Sequence, residues 1–274
     1  MEKYSVLMSL YEKEKPEYLR LAIDSILNQT VAPDEITIVK DGLLTPELDA
    51  VLDEYSKNSD VFNIVGYEKN RGLGLALNYG LEHCRNEFVA RMDTDDIAKP
   101  DRCEKQLKAF EENPSLEIVG GNIAEFIDDP MNTVAYRRVP VTDSEIKEYM
   151  KVRCPFNHMT VMYKKSSVIK SGNYKNLFWN EDYYLWIRMM EHGCIMGNTG
   201  DLLVDVRTGT DMYKRRGGAA YFKSERFLQK YMLNNKIISG KVYTMNLAKR
   251  FIVQRILPNS IRGWVFKMFA RNYK

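Results

Sequence analysis

Along its first hundred residues this chain repeatedly exchanges one hydrophobic periodicity for another, and that exchange restricts the available folds more than anything else in it. Tyr4 to Leu10 is a short apolar run of buried-strand length, and Pro16 then stands where a first helical turn tolerates proline. Leu19, Ala22, Ile23, Ile26 and Leu27 recur at helical spacing and form one apolar stripe, which Asn28-Gln29-Thr30 ends. Ile36-Thr37-Ile38-Val39 is a β-branched strand running into Lys40-Asp41-Gly42. The same alternation predicts a helix opened by Pro46, a strand over 62–67, a helix over 72–84, a strand over 88–92 and a helix after Pro100. Strand, helix, strand units of this length need right-handed parallel crossovers, so an α/β fold is expected, with a mainly parallel sheet covered by helices on both faces. Ligands of such sheets lie beyond the carboxyl ends of the strands, where Asp41 and Asp93-Thr94-Asp95-Asp96 both fall.

After Leu116 the rhythm changes. Residues 116–119, 122–127 and 158–163 read as strands, and Thr142-x-x-Glu145 is a capping box that opens a helix. Residues 181–192, closed by Gly193, form a helical pattern whose first turn is acidic, favourable at the positive end of the helix dipole.

With 274 residues and 45% hydrophobic content the chain can bury one substantial core. Cys84, Cys103, Cys154 and Cys194 are far apart with no C-x-x-C pair, which fits reduced thiols in a cytosolic setting rather than a zinc knuckle or disulfide framework. No secretory leader pattern and no run of about 18 apolar residues occurs, so the chain is expected neither to be secreted nor to span a membrane. From Tyr213 onward there are 15 Lys and Arg against one acid, Glu225. Such a block attracts anionic lipid, nucleic acid or phosphorylated substrates, and charge does not choose among them. From Asn246, apolar Leu247, Phe251, Ile252, Ile256, Trp264, Val265 and Phe269 interleave with Lys249, Arg250, Arg255, Arg262, Lys267 and Arg271, broken by Pro258. The pattern resembles two short basic amphipathic helices that lie in a membrane interface, and equally suits a helical pair packed on the domain.

Carboxylates one residue apart at a strand end, as in Asp93 and Asp95, can converge on a hard cation that also bridges a diphosphate; an acidic turn with helix-capping aspartates is the alternative. Asp41 can accept hydrogen bonds from a base edge or ribose, or serve as a turn residue before Gly42. Asn70-Arg71-Gly72-Leu73-Gly74 precedes a helix and suits close approach to a phosphorylated ligand, or only a tight helix entry.

Together, Ser5-Val6-Leu7-Met8-Ser9-Leu10-Tyr11, Val39-Lys40-Asp41-Gly42, the Asn70-Arg71-Gly72 segment through Leu81, Ala90-Arg91-Met92-Asp93-x-Asp95-Asp96 and Asn180-Glu181-Asp182-Tyr183 resemble the family 2 glycosyltransferases of GT-A fold in order and spacing, over about residues 4–210. The resemblance implies a catalytic domain over 1–212, with a nucleotide-binding half to about 98 and an acceptor half over 99–212, followed by a basic helical extension over 213–274. It implies an inverting enzyme that moves a sugar from a nucleotide-diphosphate donor, typically a UDP-sugar, to a hydroxyl of a saccharide or lipid-linked saccharide. By the same resemblance Ser9, Tyr11, Asp41, Asn70, Arg71, Asp93 and Thr94 hold the nucleotide, Asp93 and Asp95 hold Mn2+ or Mg2+, and Asp182 is the catalytic base beside Glu181. A location at the inner face of the cell membrane follows, with an anionic membrane surface as partner and no nucleic acid.

Many relatives carry a late histidine that touches metal or phosphate, whereas Val206-Arg207-Thr208-Gly209-Thr210 has none. Arg207, or Arg215 and Arg216, could neutralise the diphosphate instead. His158 lies near the acceptor or in a satisfied core, and His83 and His192 are structural. A sugar-phosphate nucleotidyltransferase and a non-catalytic membrane- or nucleic-acid-binding scaffold are the competing readings; the first lacks the expected Gly-rich basic loop after Met8.

Overall fold

In the computed structural model, which describes residues 2–57, 59–209, 218–257 and 272–273, the first half of the chain alternates as its periodicities require. Strands β1 (Tyr4–Leu10), β2 (Glu35–Asp41), β3 (Phe62–Tyr67) and β4 (Phe88–Met92) pair in parallel in the order β3-β2-β1-β4. Helices α1 (Pro16–Leu27) and α2 (Pro46–Ser56) cover one face and α3 (Leu73–His83) the other. The pleat explains the division: Tyr4, Val6, Met8 and Leu10 pack with α1, while Leu7 packs with Ala76 and Leu77 of α3. Strand order reverses between β1 and β4, which opens a crevice at their carboxyl ends.

The second half adds β5 (Ile97–Ala98), α4 (Arg102–Glu112), β6 (Leu116–Phe126), β7 (Thr133–Arg137), α5 (Asp143–Met150), a 3-10 turn (His158–Thr160), β8 (Met162–Lys164), α6 (Lys165–Lys170), α7 (Glu181–Glu191) and β9 (Ile195–Arg207). β8 joins antiparallel to β4 and to β6, continuing the sheet, and β9 runs parallel to β6. The result is a mixed, mostly parallel sheet flanked by helices, as the alternation predicts.

Two expectations need correction. Residues 116–126 are one strand, because Gly120 and Gly121 continue the ladder and make room for β9: a Cβ at Gly121 would meet Leu203 at 2.5 Å. The strand expected over 158–163 begins only at Met162; Asn157 O accepts from both Thr160 N (2.9 Å) and Thr160 Oγ1 (2.8 Å), which folds 158–160 into a turn. β9 was not legible, since its apolar residues are interrupted by Gly197, Gly200 and Asp201.

Helices α8 (Ala219–Asn234) and α9 (Gly240–Phe251), followed by a π-helical turn (Ile252–Ile256), rest on the α7 side, and β10 (Asn272–Tyr273) edges β7. Leu228, Met232 and Ile238 join the core that contains Trp186. Asn246 Nδ2 donates to Lys151 O and Gln229 Oε1, both at 2.9 Å, and Arg250 pairs with Glu225 at 2.6 Å. The first expected tail helix is therefore the end of a longer, docked helix; the second, with Trp264, Val265 and Phe269, lies outside the described residues. The four cysteines are free, and among the described residues no helix is long and apolar enough to cross a membrane.

Candidate active site

The carboxyl ends of β1, β2 and β4 and the first turns of α3 and α7 converge on one crevice. At β2, the Asp41 carboxylate is almost fully buried and accepts from Tyr67 Oη (2.8 Å), Arg71 N (2.7 Å) and Gly72 N (3.1 Å), while Asn70 Nδ2 donates to Asp41 O (3.1 Å). Asp41 thus shapes the loop that carries Asn70 and Arg71. Gly72 turns that loop at φ 88°, a left-handed conformation open to glycine. The Arg71 guanidinium lies over the Tyr67 ring at 5.1 Å and the residue is exposed at the rim, as is Tyr11 after β1. Ser9 sits half-buried near the end of β1, beside Val39.

Beyond β4, one oxygen each from Asp93, Asp95 and Asp96 lies within 4.8 Å of the others. Burial, then Asp93, then Glu14 push Asp95 up to about 7, and burial followed by Asp95 and Asp93 holds Asp96 well above the usual carboxylate range. Acids crowded at this cost suit a hard divalent cation, which these oxygen ligands fit. Glu14, from the loop after β1, accepts from Thr94 Oγ1 at 2.7 Å and is itself raised by burial. It was missed in sequence, because Glu14 sits in a run of surface charges with no distinguishing spacing. β9 pairs with β5 and brings Arg207 here: its amide donates to Asp96 Oδ1 (2.8 Å) and its Nε to Asp95 O (3.2 Å). Its guanidinium stacks 3.8 Å over Tyr18, so Arg207 braces the aspartate loop. Arg215 and Arg216 lie outside the described residues.

Arg91 is the centre of charge. It is 1% exposed, forms an ion pair with Asp93, and leaves Nε and Nη1 without a hydrogen-bond partner. In the sequence Arg91 stands inside the Ala90–Asp96 motif without a role of its own, although a lone arginine in the apolar strand Phe88-Val89-Ala90-Arg91-Met92 was the available signal.

Glu181 and Asp182 begin α7. Gly74 of α3 admits them: a Cβ there would stand 2.9 Å from Lys175 O and 3.0 Å from the Glu181 Cβ. Gly74 therefore serves helix packing, not approach of a phosphate. Burial, followed by Asp182, pushes Glu181 up to about 8, with Arg91 opposing and Asp93 reinforcing the shift. The two acid groups are thus electrostatic neighbours. Asp182 Oδ1 accepts from Tyr183 N (2.7 Å), and the Cys154 thiol lies 3.9 Å from Oδ2. His158 Nε2 meets Tyr174 Oη at 3.1 Å among Tyr174 and Trp186, and burial holds it neutral. His83 and His192 are exposed at helix ends away from this crevice.

The family model described as Glycosyl transferase family 2 matches residues 5–178. An amylovoran biosynthesis glycosyltransferase, AmsE, of Erwinia amylovora is 42% identical, covering 96% of this chain and 98% of its own. The chain belongs to the family 2 glycosyltransferases. Another relative, the UDP-Gal:alpha-D-GlcNAc-diphosphoundecaprenol beta-1,3-galactosyltransferase of Escherichia coli, is 38% identical over 99% of this chain and 98% of its own. In fold, this family 2 enzyme matches the mannosyltransferase PcManGT from Pyrobaculum calidifontis, solved in complex with GDP-Man and Mn2+, at TM-score 0.63 and 14% identity, over 95% of this chain and 72% of that one.

Proposed function

We propose that this glycosyltransferase moves a hexose from a UDP-sugar to a hydroxyl of a lipid-linked saccharide, with inversion, during assembly of a bacterial surface polysaccharide. One observation carries the reading: in a chain of this family, Asp93, Asp95 and Asp96 converge at the end of β4 with one oxygen of each within 4.8 Å of the others. The activity named for the Escherichia coli relative and the biosynthetic role of the Erwinia relative support the donor and acceptor classes.

The nucleoside enters along Asp41, Tyr11 and Ser9, and the diphosphate lies toward Asp93, Thr94 and Arg71. A divalent cation held by Asp93, Asp95 and Asp96 would offset charge that develops on the departing diphosphate. Burial, followed by Asp182, pushes Glu181 up to about 8 and so favours its protonated form, which leaves the role of base to Asp182 in this reading. Asp182 takes the acceptor hydroxyl proton as that oxygen bonds to the anomeric carbon. The bond to the phosphate oxygen breaks on the opposite face, and its electron pair leaves with UDP. Protonated Glu181 donates a hydrogen bond that orients the acceptor. Lys249, Arg255 and the exposed Phe251, Ile252 and Ile256 would hold the enzyme on anionic lipid at the inner face of the membrane, close to a lipid-linked acceptor.

The test is nucleoside diphosphate release from UDP-galactose, UDP-glucose, UDP-GlcNAc and GDP-mannose with manganese or magnesium. Release is expected from at least one UDP-sugar, and chelator or Asp95→Ala should each reduce it by roughly 10²-fold. Turnover of GDP-mannose alone removes the uridine assignment, an undiminished rate in chelator removes the metal, and pyrophosphate release from a nucleoside triphosphate replaces the reading with nucleotidyl transfer.

A further inference from the structure

Just ahead of the acid pair, the chain leaves two aromatic rings in water. Phe178 and Trp179 are 48% and 42% exposed, and their rings stack at 4.4 Å and 19°. Trp179 adopts φ 55°, a left-handed conformation that a bulky side chain takes only when its surroundings impose it. The surroundings do impose it. Asn180 is buried, its amide donates to Leu177 O (3.0 Å), its Nδ2 donates to Ser224 Oγ of α8 (3.0 Å), and Tyr184 N donates back to Asn180 O (2.9 Å). Tyr221 of α8 flanks the Trp179 ring at 6.1 Å. The loop is pinned on both sides, and the strain goes into presenting a flat aromatic face instead of burying it.

We infer that Phe178 and Trp179 form the platform on which the acceptor's sugar ring stacks. This rests on the assignment of Asp182 as base and adds the acceptor subsite to it. Trp179 stands three residues before Asp182, so the two Cα atoms lie within roughly 11 Å even for an extended chain. Whatever hydroxyl reaches Asp182 brings its own ring, or the next, to this loop. The nucleotide side of the crevice lies elsewhere, at the ends of β2 and β4, so the donor does not compete for the platform. A pyranose suits it: its C–H face carries partial positive charge and meets the negative face of an aromatic ring, while its hydroxyls point outward to water and to exposed Lys175 and Asn176. In a lipid-linked acceptor the hydrocarbon is separated from the reacting sugar by a diphosphate and falls beyond the loop.

The full-length protein, loaded with UDP and manganese, is titrated with methyl glycosides of glucose, galactose, mannose and N-acetylglucosamine and with the same sugars as short alkyl diphosphates. Saturation-transfer NMR and tryptophan fluorescence report binding, and calorimetry reports UDP. At least one saccharide should bind wild type, with Trp179→Ala and Phe178→Ala each weakening it about tenfold, Trp179→Phe restoring it, and UDP affinity unaltered. The inference is overturned if no saccharide binds wild type, if Trp179→Ala binds it equally well, or if UDP affinity falls in parallel, which marks a structural role. Loss confined to vesicle binding overturns it in favour of lipid. Failure of wild type to bind UDP would remove the donor assignment instead, and the same saccharide titration without nucleotide would still decide the platform.

Discussion

Glu181 and Asp182 are neighbours in the chain with different surroundings, and the proposed division of their tasks rests on that difference. Glu181 is buried against Gly74, whereas Asp182 is part-exposed at the crevice beside Cys154. Asp182→Asn keeps the shape and removes the proton acceptor, so turnover should fall about 10²- to 10⁴-fold while UDP affinity, read by calorimetry, stays. Glu181→Gln still donates a hydrogen bond and should cost no more than about tenfold; the reverse ranking exchanges the roles. Glu181 also makes stability depend on pH. Its folded value, about 8, lies above its ordinary 4.5, so the stability that comes from retaining the proton is complete below about 4.5 and is lost as pH rises to about 8. In metal-free protein, Glu181→Gln should therefore melt above wild type at pH 8, by on the order of 2–4 °C, and the gap should close by pH 4.5. A gap that widens toward acid contradicts the buried, protonated carboxyl.

At the scale of elements, the site is a meeting of strand ends with two helix starts, and these differ in how plainly the sequence announces them. Asp41 and Asp93 were legible because each follows an apolar strand inside a regular βα alternation, so position alone placed them at one edge of the sheet. The juxtaposition of α3 and α7 was not legible: it depends on Gly74, whose missing side chain has no periodic signature and whose partners, Lys175 and Glu181, are a hundred residues away. Arg207 reached the aspartates by a route equally hidden, since β9 has too many glycines and acids to read as a strand. Gly74→Ala tests the helix contact. The added methyl collides with backbone as well as the Glu181 side chain, and overpacking of this kind typically costs about 1–3 kcal/mol, more than the gain in helix propensity. A lowered melting temperature with kcat reduced more than UDP affinity is expected; a stabilised, fully active variant shows that the contact has room.

For the molecule as a whole, the described part of the basic C-terminal section is docked: Asn246 holds Lys151 and Gln229, Arg250 holds Glu225 and, through Nη2, Val152 O at 2.8 Å, and β10 pairs with β7. A chain ended after Leu257 retains Lys249, Arg255, Phe251, Ile252 and Ile256, so it should keep its UDP affinity and its affinity for anionic vesicles at moderate salt. A chain ended before Asn246 should melt lower, because the acceptors Lys151 O, Val152 O and Gln229 Oε1 lose their donors and Glu225 loses its ion-pair partner. Loss of vesicle binding by the first truncation places membrane attachment beyond residue 257.

The antiparallel pairing of β9 with β5 gives this enzyme a built-in order of manufacture. The aspartate loop is synthesised before residue 97, yet the amide that grips Asp96 and the side chain that caps Asp95 belong to Arg207. More than a hundred residues must leave the ribosome between the loop and its brace. During that interval the nascent chain carries Asp93, Asp95 and Asp96 without the strand that braces them, so the final shape of this edge of the crevice is acquired only when β9 closes the sheet.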